Sequence, residues 1–150
     1  MHVTKNQVLF KADGVELISR LIDVNYPDYE KILPKSSKST AKVNLDDLTM
    51  ALKKVLVIVK ENNNSIKVVF EDGKVKILSD QTQVGEGSAE LDAVFEGGGT
   101  VSLNAQFLLD ALTHIKGDII NFGLNDSLSP VILNAEKSSG TVHVIMPLKV

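Results

Sequence analysis

A strand-then-helix pattern occurs twice along this chain, and that repetition narrows the folds open to it more than any other feature. Val43-x-Leu45 is matched by Val101-x-Leu103 at a separation of 58 residues, and Ala51-Leu52-x-x-Val55 by Ala111-Leu112-x-x-Ile115 at 60, which implies a two-residue insertion between the registers. In each copy the helix is followed by three segments of strand character. A supersecondary unit this short cannot bury its apolar face alone and must stack on its twin. The expected fold class is therefore α+β: a duplicated β-α-β-β-β unit with two helices on antiparallel sheets.

The first copy starts with a strand over Ala41 to Leu45, followed by Asp46-Asp47 as the cap and acidic first turn of a helix. Leu48, Leu52, Val55 and Val59 recur at helical spacing and form one stripe, with Thr49, Lys53 and Lys60 on another face. Beyond the polar break at Glu61 to Asn64 come strands Ile66 to Glu71 and Lys74 to Ser79, joined at Asp72-Gly73, and a third around Ser88 to Phe95. Gly97-Gly98-Gly99 interrupts the chain. The second copy runs from strand Thr100 to Leu103 through Asn104 as a cap into a helix with Phe107, Leu108, Ala111, Leu112 and Ile115 as its apolar stripe. Lys116-Gly117 reads as a basic last turn with a glycine cap, and strands follow near Ile119 to Leu124, Val131 to Ala135 and Val142 to Met146.

Ahead of the duplication, Gln7 to Ile22 reads as two antiparallel strands turning at Asp13-Gly14. Tyr26 to Pro34, bracketed by two prolines, and the polar stretch Lys35 to Thr40 read as a linker.

At 150 residues the chain has room for one domain and a fragment of a second. It contains no cysteine, so thiolate chemistry is excluded and nothing asks for an oxidising compartment; a cytoplasmic location fits. Val55 to Val59, the longest apolar run, is far short of the roughly 20 residues that span a bilayer, and no signal peptide is read at the start. The formal net charge of −3 argues against a tight grip on nucleic acid, although encirclement needs no binding energy.

Chemistry is hard to place. His2, His114 and His143 have no second histidine or carboxylate at ligand spacing, so no metal is expected. Asp46, Asp47 and Asp110 read as structural carboxylates. The glycine run lacks the lysine of a phosphate loop and precedes a strand, and no serine stands in a nucleophile elbow. Neither a cofactor nor a catalytic residue is expected.

The terminal apolar stretch has its own physical logic. Pro147 stops strand pairing, so Leu148 and Val150 either form an open apolar surface with the adaptable Met146 or tuck into the domain's own core. Similarly, Val57 falls opposite the core stripe of the first helix, as an exposed contact or under its own loop.

Several segments resemble the bacterial sliding clamp, the DNA polymerase III beta subunit. They are Leu17 to Ile22, Tyr26-Pro27-Asp28-Tyr29, Leu33-Pro34, Leu108 to Leu112, Asp126-Ser127-Leu128-Ser129-Pro130 and Val144 to Val150. The resemblance implies a DNA-clamp (processivity) fold, with three such domains per chain and two chains closing a ring around double-stranded DNA. Residues 1–36 would be the C-terminal remnant of the middle domain with the connecting segment, and 37–150 the third domain; the first domain and most of the second would lie outside this chain. It implies a non-catalytic subunit of the holoenzyme, grouped with DNA-directed DNA polymerase and transferase. Its partners would be the polymerase III alpha subunit, the clamp loader, other polymerases and repair proteins, bound through a short peptide motif.

For this chain the resemblance places one wall of the peptide groove at Pro27, Lys31, Ile32, Val144, Ile145, Met146, Pro147, Leu148, Lys149 and Val150. Asn63 falls where some relatives place an aromatic residue, and Lys31 where an arginine is often found. Val57 and Ile58 would lie at the ring-closing interface. Lys53, Lys54, Lys60, His114 and Lys116 would face DNA loosely, in sequence-independent contact, or else form only a solvated face. With its other groove wall absent, the chain is expected to bind the peptide motif weakly or not at all and to be monomeric. The competing readings are a generic α+β protein-interaction module unrelated to replication, and an enzyme with a deep polar pocket.

Overall fold

The computed structural model describes residues 1–59, 63–79, 85–137 and 140–149, with Phe95 described by its backbone only. The chain divides into two compact units, Met1–Glu30 and Lys31–Val150. In the first, β1 (His2–Val3), β2 (Gln7–Ala12) and β3 (Val15–Arg20) make an antiparallel sheet in that order. Asp13 and Gly14 turn the β2–β3 hairpin with φ of 47° and 81°, the left-handed pair that a tight hairpin of this twist requires. No described residue of this unit is buried. A single helical turn, α1 (Tyr29–Ile32), follows.

The second unit contains the duplication. Its elements are β4 (Ser39–Asn44), α2 (Leu45–Val59), β5 (Ser65–Glu71), β6 (Lys74–Ser79), β7 (Ser88–Asp92), β8 (Val94–Glu96), β9 (Gly99–Asn104), α3 (Ala105–His114), β10 (Ile119–Leu124), β11 (Val131–Ala135) and β12 (His143–Ile145). One sheet has the order β7-β6-β5-β9 and the other β12-β11-β10-β4-β8. The first strand of each copy is thus built into the other copy's sheet: β4 pairs with β10, and β9 pairs with β5. This is the expected α+β fold, a duplicated unit with two helices on antiparallel sheets.

From the first strand into the helix the two copies correspond residue for residue. The Asn44 side-chain oxygen accepts from the backbone N–H groups of Asp46 and Asp47, and that of Asn104 accepts from Gln106 and Phe107. Leu45 N–H donates to the Asp118 carbonyl, and Ala105 N–H donates to that of Asn64. The caps are 60 residues apart, as are the helical positions Leu52 and Leu112, so strand and helix share one separation and the expected two-residue insertion between them does not exist, whereas the equivalent partners Asn64 and Asp118 beyond the helices are 54 apart. The 58-residue match misled because Leu45 opens a helix and does not end a strand. For the same reason the cap of α2 is Asn44, and Asp46-Asp47 form its first turn.

Three further expectations change. The strand expected over Ser88 to Phe95 breaks at Ala93 into β7 and β8, which belong to different sheets. α3 ends at His114 with Ile115 as an extended C-cap, so Gly117 does not cap it. Phe107 is 62% exposed, outside the stripe formed by buried Leu108, Leu112 and Ile115. At 100° per residue, Phe107 lies a full step away from Leu108, beyond the arc that one packed face covers.

Leu48, Leu52, Val55 and Val59 all enter the core as their spacing requires. Phe70 of β5 meets Phe122 of β10 edge to face, with centroids 5.1 Å apart, and so ties the two sheets together. The glycine run allows β8 to approach β4: Ser39 Oγ donates to the Gly98 carbonyl and accepts from its N–H, and a Cβ on Gly97 would lie 2.5 Å from that oxygen. Gly97, at φ 79°, has the backbone shape that glycine adopts without strain.

Two predictions follow from these turns and caps. Asn44→Ala and Asn104→Ala should each cost about 1 kcal/mol in urea denaturation, with similar losses at the two equivalent positions. In the β10–β11 turn, the Asp126 carboxylate accepts from the Ser129 hydroxyl and from the N–H groups of Leu128 and Ser129. The Ser129 hydroxyl first, then the Leu128 N–H, hold this carboxyl below its ordinary value of 3.8. A lowered carboxyl stabilises the fold above its unfolded value and ceases to do so as pH falls through the folded one. The Leu128 and Ser129 amide resonances should therefore follow a titration whose midpoint lies below 3.8.

Candidate functional site

The carboxyl-terminal strip is placed by β12, whose register sets Val131 opposite Ile145 and Leu133 opposite His143. Alternation along the strand leaves Val144 half-buried and turns Ile145 inward, where it is 6% exposed. Ile145 therefore packs into the core beneath the strip and does not line an open surface, which corrects its expected place in the groove wall.

Past Ile145 the chain leaves β11. Pro147 has no N–H to donate, and the next donor, Leu148 N–H, reaches the Ser102 carbonyl of β9 at 2.8 Å. The tail thus crosses from the edge strand of one sheet to the edge strand of the other. This bond holds Leu148 and Pro147 half-buried, neither frayed nor sealed in the core, while Met146 is 59% exposed and Lys149 is exposed. Val150 lies outside the described residues.

β9 runs directly into α3, whose first turn carries exposed Phe107. Sequence reasoning assigned Phe107 to the core and so missed it as a surface group. Its position one step off the Leu108–Leu112–Ile115 line was the available signal. Among the other groove positions, Pro27, Lys31 and Ile32 are exposed, Pro27 in the first compact unit and the other two in the second. Asn63, at φ 50°, is exposed in the turn after α2.

The end of α2 presents a second surface. Val57 is 76% exposed, opposite the buried stripe, as its angular position requires. Ile58 is half-buried because it packs on Gly87, where an added Cβ would lie 2.8 Å from its Cδ1. Gly87 is pinned by its N–H to Ser79 Oγ and by its carbonyl to Ser79 N–H, just before β7. Among the described residues β7 is an edge strand, with one row of its backbone groups lacking a sheet partner. Between α2 and β7 lies an open cleft lined by charges of both signs, among them Asp47, Lys54, Lys74 and Glu90.

Lys53 and Lys54 on α2, and His114 and Lys116 at the end of α3, are all exposed. Lys60 lies outside the described residues. Among the described residues no three histidine or carboxylate side chains converge as a metal site would require.

Comparison with known proteins gives a consistent result. Residues 30–149 match the family described as DNA polymerase III beta subunit, C-terminal domain. The beta sliding clamp of Chlamydia pneumoniae is 27% identical over 146 residues, which is 97% of this chain and 39% of that protein. The beta sliding clamp of Staphylococcus aureus strain Mu50 is 29% identical over 147 residues, 96% of this chain and 39% of that protein. Among solved structures, the DNA polymerase III beta subunit of Thermotoga maritima superposes with a TM-score of 0.82 at 28% identity, covering 99% of this chain and 41% of that one. The sliding clamp of Bacillus subtilis gives 0.79 at 28% identity, covering 99% and 40%. The chain thus spans about two fifths of the length of these relatives.

The exposure of Phe107 sets an expected contrast with Phe122, which is fully buried. Phe107→Ala should change stability by less than about 1 kcal/mol, whereas Phe122→Ala should cost about 3–5 kcal/mol, both read from chemical denaturation. Equal losses would show that Phe107 serves the core.

Proposed function

Because the chain belongs to the DNA polymerase III beta subunit family and carries its C-terminal domain, we propose that it acts as the third domain of a sliding clamp, the processivity factor of a bacterial replicative polymerase. In this reading residues 37–150 are that domain and residues 1–36 are the end of the middle domain with its connector. The complete ring encircles double-stranded DNA in the cytoplasm without catalysing a reaction. Family membership supports this over a generic interaction module.

The observation that carries the docking role is the strip of Val144, Met146, Pro147, Leu148 and Lys149, held open by the Leu148–Ser102 hydrogen bond. Met146 is exposed and Val144, Pro147 and Leu148 are half-buried, so a partner's apolar side chains gain by covering them. The adaptable methionine suits varied peptides from the polymerase alpha subunit, the clamp loader, other polymerases and repair proteins. Pro27, Lys31, Ile32 and Val150 are the further residues proposed for peptide binding. Val57 and Ile58, with the unpaired edge of β7, form the proposed ring-closing surface. Lys53, Lys54, Lys60, His114 and Lys116 are the proposed weak, sequence-blind DNA contacts. Such contacts slide because they are screened and easily broken.

The test is fluorescence anisotropy with a labelled clamp-binding peptide. A full-length ring should bind it, and this chain alone should bind at least about tenfold more weakly, since one wall supplies only part of the desolvated contact. In the full-length ring, Met146→Ala with Leu148→Ala should lower affinity about tenfold or more while the melting temperature stays within a few degrees. Undiminished binding by that double variant would overturn the docking site.

A further inference from the structure

We infer that Asn125, presented by the turn over residues 126–130, is a positioning residue for peptide binding. Its side chain fastens the connector just ahead of β4, and so holds the segment that carries Lys31 and Ile32. The inference rests on the docking reading above. The turn itself has no part in the docking strip, the ring-closing surface or the basic residues.

Pairing of β4 with β10 ends at Ser39 opposite Leu124. One residue further, the Asn125 side chain takes the place of the backbone ladder. Its oxygen accepts from the Lys38 N–H at 2.9 Å, and its nitrogen donates to the Ser36 carbonyl at 3.0 Å. A backbone N–H can only donate and a carbonyl only accept, so both partners fix which way the carboxamide points. One side chain thus grips the chain on both sides of Ser37, as a neighbouring strand would. Gly123 makes room for this: an added Cβ there would collide with the Ser37 hydroxyl, and Ser37 lies half-buried. Ser39 Oγ extends the hold through its two bonds to Gly98. Upstream, Leu33 and Pro34 are half-buried, while Lys31 and Ile32 are exposed. The turn keeps its own shape, because the Asp126 carboxylate accepts from the Leu128 N–H, the Ser129 N–H and the Ser129 hydroxyl. Asp126 is therefore spent on the turn, and Asn125 is left to the connector.

Position joins this latch to the carboxyl-terminal strip. Carried one or two residues beyond their last pairs, the β4–β10, β10–β11 and β11–β12 registers set Lys38, Asn125, Pro130 and Met146 on one row across the end of the sheet. Three strand spacings of about 4.8 Å put the latched connector about 14 Å from Met146, a span that about four or five residues of extended peptide cover. A connector free to leave the sheet would offer Lys31 and Ile32 in the binding position only part of the time. Apparent affinity would fall in proportion to that fraction.

The test has two parts. In this chain, hydrogen exchange followed by NMR reads the latch alone: Asn125→Ala should speed exchange of the Lys38 amide about tenfold or more, while the β11 amides keep their rates. In the full-length ring, anisotropy with the labelled clamp-binding peptide should show Asn125→Ala weakening binding about threefold or more, with the melting temperature within a few degrees of the parent. Asn125→Asp keeps the acceptor and loses the donor, and should fall between the two. The Asn125→Ala loss should be less than additive with Ile32→Ala, which removes a group being positioned, and additive with Leu148→Ala, which is tied to the other sheet. A side chain that merely stabilised the fold would show no such split. The proposal is overturned if Asn125→Ala leaves either the Lys38 amide or the peptide affinity unchanged, or if its loss simply adds to that of Ile32→Ala. Should Asn125→Ala bind like the parent while Met146→Ala with Leu148→Ala binds weakly, the latch falls and the docking site stands. Undiminished binding by both removes the docking site and the latch together.

Discussion

Each copy of the duplicated unit lends its first strand to the other copy's sheet, and the rest of the structure depends on that exchange. β4 hydrogen-bonds along β10, and β9 along β5, so neither sheet is complete with one copy alone. The helices follow directly from these strands: Asn44 and Asn104 end β4 and β9 and cap α2 and α3 with the same two-donor arrangement. A capped helix start bonded to the opposite copy, through Asp118 in one case and Asn64 in the other, fixes where each helix leaves its sheet. The Phe70–Phe122 contact then closes the core across the two sheets.

The candidate surfaces gather where this symmetric frame runs out of partners. β12 is an edge strand, and the tail beyond it finds one carbonyl on the opposite edge strand, β9, which leaves its apolar side chains partly uncovered. β7 is likewise an edge, with the solvent side of α2 beside it. At the end of β10, where pairing with β4 stops, the Asn125 side chain takes over and holds the connector. A rigid, mutually locked core holds each of these surfaces in place without needing a ligand to order it.

Much of the architecture could be read from the chain because it rests on local periodicity. The stripe Leu48, Leu52, Val55, Val59 and the turns Asp13-Gly14 and Asp72-Gly73 behave as their residue types demand, with all four turn residues at positive φ. The misreadings sit at boundaries. Leu45 has strand-like apolar character yet opens a helix, because its N–H is taken by Asp118, a residue 73 positions away. Ser88 to Phe95 looks like one strand, but its two ends pair with β6 and β4 in separate sheets. Phe107 looks like core because it adjoins a packed stripe, and only the helix's rotation against its sheets shows that it faces out. Of the docking strip, the apolar tail and the pairing limit set by Pro147 were legible, whereas the inward turn of Ile145 needed the β11–β12 register.

By itself, the sequence determined the α+β class, the repeat of strand, helix and sheet, and which helical faces are greasy, since all of these arise from spacing within a few residues. Only the tertiary structure decided which copy's strand completes which sheet, that Leu148 is tied to Ser102, and that Asn125 holds Ser36 and Lys38. Those outcomes depend on hydrogen bonds and packing between segments tens of residues apart, and no local pattern carries a record of them.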